Sequence, residues 1–353
     1  MTRDLENVYP HICVVGSLNV DFVTRVSRCP GPGETITAKS LSVTVGGKGA
    51  NQAVACARAS FMSKEQQDVK VTMIGAVGSD DSFYSTLLRP ALEASGVVTE
   101  YIHENNDCQT GSATIIVEDE ERGENRILVV PGANHSGMAD INAILQTIDS
   151  QQEQCRFILM QGEIPKATVV GILRAFNRPT SSTHVIFNPA PVFPGGISID
   201  AISHTSVIVV NETEMIQLSE ELATFSVLYE NETHNPEKFA NCLHTVAQVK
   251  IVLITLGKNG VFYSTINGKS GRVPGVAVES VMDTTAAGDT FVGYFACEFA
   301  KMVTSTTRLS DLDSYVEEMV ATANKAASFS VQKSGAIQSI PFAYEIDAVS
   351  AAL

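Results

Sequence analysis

The sequence predicts an α/β fold: a three-layer α/β/α core around a mostly parallel sheet, with a small β-sheet lid. Three observations predict it. Short apolar runs such as HICVVG (11–16), FILM (157–160) and IVLIT (251–255) alternate with segments of helical character. Strands separated by helices imply parallel pairing through right-handed crossovers. Second, polar residues follow four apolar runs directly: Gln161-Gly162-Glu163, Asn188-Pro189-Ala190-Pro191, Asn211-Glu212-Thr213-Glu214 and Thr255-Leu256-Gly257-Lys258. In open α/β sheets such strand-end positions line the ligand crevice. Third, the segment from Asp21 to Val45 alternates apolar and polar residues around the turn Pro30-Gly31-Pro32-Gly33. That pattern reads as short antiparallel strands at Phe22-Val23, Thr35-Ile36-Thr37 and Leu41–Val45, inserted before the first helix.

The remaining elements follow in order. A strand over 69–75 precedes a helix capped by Asp80-Asp81 and running to about Ser95, where Gly96 ends it. Strands are predicted over 97–103, 111–117 and 125–130, with the charged tip 119–124 as a hairpin end. Helices over 166–176, 212–219 and 236–247 alternate with strands over 157–160, 185–187, 207–210 and 251–255. No repeat and no low-complexity linker divides the chain, so 1–353 reads as one domain, its lid formed by about 22–45 and part of 97–130.

Composition narrows the function classes. The 353 residues are 44% hydrophobic and 18% charged, which suits a globular enzyme. A formal net charge of −15 argues against nucleic acid or an anionic membrane as partner. The seven cysteines are scattered without a C-x-x-C pair, the pattern of reduced thiols in a cytoplasmic protein. No apolar run approaches a membrane span, and the first residues lack the shape of a signal peptide.

Two stretches carry the chemistry. In Asp283-Thr284-Thr285-Ala286-Ala287-Gly288-Asp289-Thr290-Phe291, small residues stand between two carboxylates and open onto a helix-compatible apolar run. Backbone N–H groups of Ala286, Ala287 and Gly288 at a helix N-terminus make an anion hole. A carboxylate at the same turn serves as a general base near transferring phosphate, or it caps the helix. From this stretch alone the two readings stand even. The second stretch, Gly46-Gly47-Lys48-Gly49-Ala50-Asn51, is a glycine turn opening a helix. It fails both the Walker A spacing and G-x-G-x-x-G. Asn19 and Asp21, two apart beyond the first strand, offer an amide and a carboxylate to a polyol. From these residues alone, an Asx turn that ties the loop to itself accounts for them better.

Taken with GSLNVD, CPGPGETI, MQGE, NPAP, NETE, VLITLGKNGV and KSGAIQSIP, these two stretches resemble the signatures of the ribokinase (PfkB-type sugar kinase) family, in order from Gly16 to Pro341. The resemblance implies ATP-dependent phosphorylation of a sugar, D-ribose at its 5-hydroxyl in the first place. It implies ATP, Mg²⁺ and K⁺ as cofactors and a homodimer formed through the lid. Residue by residue, Asn19, Asp21, Gly47, Lys48, Asn51 and Glu163 match the sugar-binding positions. Asn211, Thr255, Gly257, Gly260, Gly288 and Asn324 match the nucleotide positions. Ala286, Ala287 and Gly288 match the anion hole, and Asp289 matches the base. Asp283, Thr285, Ser330, Lys333, Gly335 and Ser339 match a monovalent-cation site, and Glu214 a water-mediated Mg²⁺ contact.

The chain departs from the family pattern at Tyr84 and Met282, and segments 60–69, 119–124 and 219–236 are longer than its compact form. None of these falls on a motif that carries chemistry. Two rival readings stand beside ribose: another sugar or a nucleoside as acceptor, and a catalytically inactive sugar-binding regulator. A purine needs an apolar slot that Asn19 and Asp21 do not favour, and a mere binder has no use for a base at Asp289.

Overall fold

The computed structural model describes residues 9–118, 125–151, 156–222, 225, 228, 232–305 and 313–351. Along the chain the strands are β1 (His11–Val15), β2 (Asn19–Val26), β3 (Ser40–Gly46), β4 (Lys70–Gly78), β5 (Val97–Asn105), β6 (Gly111–Glu118) and β7 (Asn125–Val130). They continue as β8 (Phe157–Met160), β9 (His184–Phe187), β10 (Val207–Asn211), β11 (Ile251–Thr255), β12 (Val261–Thr265) and β13 (Ser270–Val273).

Nine strands form the main sheet in the order β13-β12-β11-β10-β9-β8-β1-β4-β5. All neighbours from β11 to β5 pair parallel, and β12 and β13 add antiparallel at one edge. Strand alternation sends Ile12 and Val14 of β1 into one apolar core and Cys13 and Val15 into the other. Helices Lys48–Ala59, Ala287–Ser305 and Val316–Ser330 cover the first face. Helices Lys166–Phe176, Glu212–Glu221 and Pro236–Ala247 cover the second. The expected three-layer core is observed.

The sheet reverses direction of growth between β1 and β8. From β1 the chain proceeds outward to β4 and β5; from β8 it proceeds the other way to β11. At such a switch point the loops after the two strands diverge and leave a crevice. Gly16-Ser17 follows β1 and Gln161-Gly162-Glu163 follows β8, so both loops open onto it.

The lid is a second sheet of order β3-β2-β6-β7. It comprises 19–26, 40–46, 111–118 and 125–130, whereas 97–105 belongs to the main sheet as its edge strand β5. The strand expected at Thr35-Ile36-Thr37 is absent. Pairing of β2 with β3 ends at Arg25 opposite Ser40. The intervening residues leave the sheet as a loop, closed by Arg28 on Glu34 and by Gly31 N–H donating to Glu34 at 2.9 Å.

The helix expected from Asp80 to Ser95 is two pieces, a π-turn over Tyr84–Leu88 and an α-helix over Arg89–Ala94. Pro90 supplies no N–H to the turn before it, which widens there. The tip 119–124 and part of 219–236 lie outside the described residues. The β12–β13 pair and the helices Ile141–Asp149, Val316–Ser330 and Ala343–Ala351 were not foreseen.

One helix contact orders the first face. Gly293 of helix 287–305 packs on helix 48–59 so closely that a Cβ there would lie 2.3 Å from Ala55 Cβ and 2.7 Å from the Cys56 nitrogen. Beside it, Phe291, Phe295 and Phe299 stack along the helix at centroid spacings of 6.4 and 6.2 Å. Gly293→Ala should therefore lower stability by about 1–3 kcal/mol through overpacking, outweighing the gain of about 1 kcal/mol that alanine brings in a helix. Thermal melts check this; a raised melting temperature would contradict it.

Candidate functional site

The crevice is assembled from the switch-point loops and the two helices that meet at Gly293. The Ser17 hydroxyl donates to Glu163 Oε2 at 2.5 Å, and Lys48 N–H donates to the same oxygen at 2.8 Å. Glu163 thus joins the loop after β8 to the start of helix 48–59. Gly47, with φ of 89°, makes the turn into that helix; a Cβ there would lie 2.8 Å from Asn19 N. Asn19 is buried and its Oδ1 accepts from Asn134 Nδ2 at 2.7 Å. Asn134 also receives Leu18 N–H at 2.8 Å, so it holds the loop between β1 and the lid. Asp21 projects from lid strand β2 over Gly46, where any Cβ would fall within 2.4 Å of its carboxylate.

Asp289 is buried, at 6% exposure, in the first turn of helix 287–305. Asn51 Nδ2 donates to its Oδ2 at 2.9 Å, and Gln52 Nε2 donates to its Oδ1 at 3.0 Å. Gln52 Nε2 also donates to Asn188 Oδ1 at 2.9 Å, and Gln52 Oε1 accepts from Gln161 Nε2 at 2.7 Å. The carboxylate is thereby held by two amides from the opposite helix, with its remaining lone pairs unassigned.

The turn before Asp289 has Ala286 at a φ of 58°, a conformation an L-residue adopts at a cost. It is held by Thr290, whose N–H and hydroxyl both donate to the Ala286 carbonyl at 2.8 Å. The first amides of a helix lie at its positive end without intrahelical acceptors; here that of Ala287 donates back to the Thr284 carbonyl at 3.2 Å. A cavity of about 310 Å³ opens there, lined by Ala287 and Gly288 together with Thr255, Gly257, Gly260 and Asn324. A second, of about 610 Å³, lies between lid and core and is lined by Asp21, Arg25, Asp283, Thr285 and Gly335 among others. Thr284 lines both.

Asn211 lies outside the lining of the first cavity. It forms a reciprocal capping box with Glu214, Asn211 N–H to Glu214 Oε2 at 2.9 Å and Glu214 N–H to Asn211 Oδ1 at 2.8 Å.

Asp283 ties the turn to the loop at 330–339. Its Oδ1 accepts from Thr285 N–H at 2.9 Å and Thr285 Oγ1 at 2.6 Å, and its Oδ2 from Gly335 N–H at 2.9 Å. Ser330 and Ser339 are fully buried in the same loop, and Gly335 turns it with φ of 93°. Beyond the loop, Arg58 donates to the carbonyls of Ile337 and Ile340 at 2.8 and 2.6 Å. Among the described residues no group of three or more His, Cys, Asp or Glu could hold a metal ion.

The profile of the pfkB family carbohydrate kinases matches residues 10–343. The chain belongs to that family. A ribokinase of Schizosaccharomyces pombe is 37% identical over 339 residues, covering 96% of each chain. Among solved structures, a ribokinase from Thermotoga maritima shares 32% identity at a TM-score of 0.76, covering 97% of this chain and 99% of its own. Arabidopsis thaliana ribokinase complexed with ribose and ATP shares 27% identity at a TM-score of 0.75, covering 97% and 98%.

Within this pfkB-family kinase the electrostatics of the crevice set the side chains apart. Burial first, then the charges of Glu163 and Asp289, push the Asp21 carboxyl up to about 7. Lys48 is held above its ordinary value by Asp289, then by Glu163 and Glu214 against the opposing effect of burial. Burial raises the Glu214 carboxyl. For Asp283, burial would raise the carboxyl, but hydrogen bonds from Thr285 and Gly335 and the charge of Arg25 bring it below the usual range.

The structure brings Lys48, Asn51, Glu163 and Asp289 to one crevice and sets Asp21 above it. It places Thr255, Gly257, Gly260, Gly288 and Asn324 around one cavity. Sequence reading had not singled out Ser17, Gln52, Asn134 or Arg58, and it left Gln161 and Asn188 undecided between turn and site. The strand-end rule was the available signal for the last two.

The Asp21 shift fixes a sign. Because the folded carboxyl holds its proton more tightly than an unfolded one, folding binds a proton between about pH 4 and pH 7, and stability falls as pH rises through that window. Asp21→Asn should therefore stabilise the ligand-free protein at pH 8, by up to about 4 kcal/mol at the 1.36 kcal/mol that one pH unit carries. The gain should vanish by pH 4. Urea melts at the two pH values measure it; a variant less stable than the parent at pH 8 would contradict the assignment.

Proposed function

We propose that this chain transfers the γ-phosphoryl group of ATP to the 5-hydroxyl of D-ribose, with Asp289 as general base. The observation that carries the reading is Asp289 itself. A buried carboxylate, fixed by Asn51 and Gln52, follows directly on a strained anion-binding turn whose Thr284 borders both cavities. A helix cap alone would not require amides from another helix. The similarity to ribokinases, one of them complexed with ribose and ATP, supports the same substrates.

Asp21, Asn19, Asn51, Lys48 and Glu163 bind the sugar, with Gly47 allowing its close approach to backbone. The lid carries Asp21 over the crevice and excludes water that would otherwise hydrolyse ATP. The nucleotide occupies the cavity at Thr255, Gly257, Gly260 and Asn324, next to Asn211. Asp289 takes the hydroxyl proton as the ribose oxygen forms its bond to γ-phosphorus, and the bond to ADP breaks in line. Amides of Ala286, Ala287 and Gly288 hold the charge that develops on the phosphoryl oxygens.

The donor set fits a Mg²⁺ carried by nucleotide phosphates, with Glu214 reaching it through water; bound there, the ion would neutralise phosphate charge. By the family resemblance, Asp283, the backbone carbonyls of Thr285, Ser330, Lys333 and Gly335 and the Ser339 hydroxyl would hold a weakly hydrated monovalent ion, and the bonds from Thr285 and Gly335 to Asp283 that tie these two segments together support it. Exposed Leu41 on one lid edge strand and Leu128 and Val130 on the other support a homodimer through the lid. Among the described residues no helix is long and apolar enough to cross a membrane. None of the six described cysteines is in a disulfide, which suits a cytoplasmic location.

Asp289→Asn should keep ATP and ribose binding while lowering turnover by roughly two to four powers of ten, the range for loss of a general base. Calorimetry and single-turnover kinetics test the two halves; near-normal turnover would remove the base from the mechanism. Potassium should raise turnover by roughly tenfold, a change of about 1.4 kcal/mol in barrier, and do so better than sodium. Titrating KCl against NaCl in a tetramethylammonium buffer of matched ionic strength checks this. Equal rates throughout would return Asp283 to a purely structural role.

A further inference from the structure

We propose that Gln161, acting through Gln52, is a positioning residue for Asp289. The proposal rests on the reading of Asp289 as the base. Its basis is a chain of buried amides that crosses three elements. Gln161 follows β8, Asn188 follows β9, and Gln52 lies on helix 48–59. Gln52 and Gln161 have no solvent exposure, and Asn188 and Asp289 have 6% each.

The orientation of each amide follows from the next. An ionised carboxylate only accepts, so Gln52 must turn its NH₂ toward Asp289 Oδ1. The same nitrogen reaches Asn188 Oδ1, whose own Nδ2 donates to the Val209 carbonyl at 2.9 Å. Gln52 Oε1 is then left facing the other way, where only a donor can satisfy it. Gln161 Nε2 is that donor, at 2.7 Å. Gln161 Oε1 finds no partner among the described residues, and a Cβ at Gly16 would lie 2.1 Å from it. The chain has room for Gln161 only because residue 16 is glycine.

A buried amide chain with an unpaired end is a poor way to fill a core, since apolar side chains of the same volume leave nothing unsatisfied. It is a good way to fix one rotamer and one flip of Gln52. Without the N–H of Gln161, Gln52 Oε1 is buried unpaired. The flip that relieves it sets that oxygen against Asp289 Oδ1. With that flip the base loses one of its two amide donors, faces an oxygen in its place and is held only by its remaining bond to Asn51.

Gln161→Met keeps length and approximate volume but cannot donate. We expect kcat to fall about tenfold, the size of one lost charge-assisted hydrogen bond, with KM for ribose and ATP within about twofold. The acid limb of the kcat profile should move up. In the Asp289→Asn background the same substitution should cost less than about twofold, because residues acting as one unit do not add. Gln52→Glu, which sets a second carboxylate against Asp289, should move the acid limb up by at least about one unit, and it decides the matter should Gln161→Met fail to melt cooperatively. An unmoved acid limb, or an undiminished loss in the Asp289→Asn background, overturns the proposal. Normal turnover of Gln161→Met beside an impaired Asp289→Asn overturns it alone; near-normal turnover of Asp289→Asn overturns the base with it.

Discussion

The close crossing of helices 48–59 and 287–305 at Gly293 is the constraint on which the site depends. Because no side chain intervenes at Gly293, the N-terminal turns of the two helices come within hydrogen-bonding distance. Asn51 and Gln52 of one then meet Asp289 of the other, across 238 and 237 residues of chain. Everything chemical in the crevice refers to that meeting. The turn proposed to bind the anion precedes Asp289 on the second helix, and Lys48 and Asn51, proposed to contact the sugar, open the first. Separating the axes by even one methyl group would move donor from acceptor by more than a hydrogen bond tolerates.

A second ordering principle is the sheet. Reversal between β1 and β8 leaves a crevice that the backbone cannot fill, and the chain spends its glycines there. Gly16 admits the Gln161 amide, Gly46 the Asp21 carboxylate and Gly47 the turn into helix 48–59. The result concentrates Asp289, Glu163 and Glu214 around a single ammonium, Lys48, with Asp21 facing Glu163 and Asp289, in a protein already at net charge −15. Such a cluster costs stability, as the raised Asp21 carboxyl shows, and hydrogen-bond donors such as sugar hydroxyls would offset that cost. Lid strand β2 holds one member of the cluster, so the lid is part of the crevice wall.

Much of this was legible in the sequence. Helices 166–176 and 236–247 and strand 251–255 stand at the predicted residues, because their apolar periods, and the Asn235 cap of the second helix, are strong local signals. The strand at 35–37 failed because alternation is a weak signal beside two prolines, and the long helix at 80–95 because Pro90 acts on the turn behind it. Strand-end position pointed to Gln161 and Asn188 but could not separate a turn from a site, since that difference is made by a partner more than a hundred residues away. Gln52 was hidden for the same reason. On a helix otherwise rich in alanine, a buried glutamine has no local signature. Asn211 with Glu214 was read as a cap or as a site, and the structure shows the cap.

The central claim is that this crevice directs phosphate to one hydroxyl of one sugar. Its most direct measurement is ³¹P NMR of the product formed from ATP and D-ribose, run beside a panel of pentoses, hexoses and nucleosides. The account predicts stoichiometric ADP and a single phosphate monoester on the 5-carbon of ribose, with the other acceptors consumed far more slowly. ATP turned over equally without ribose, or phosphate placed on the anomeric oxygen, would contradict it.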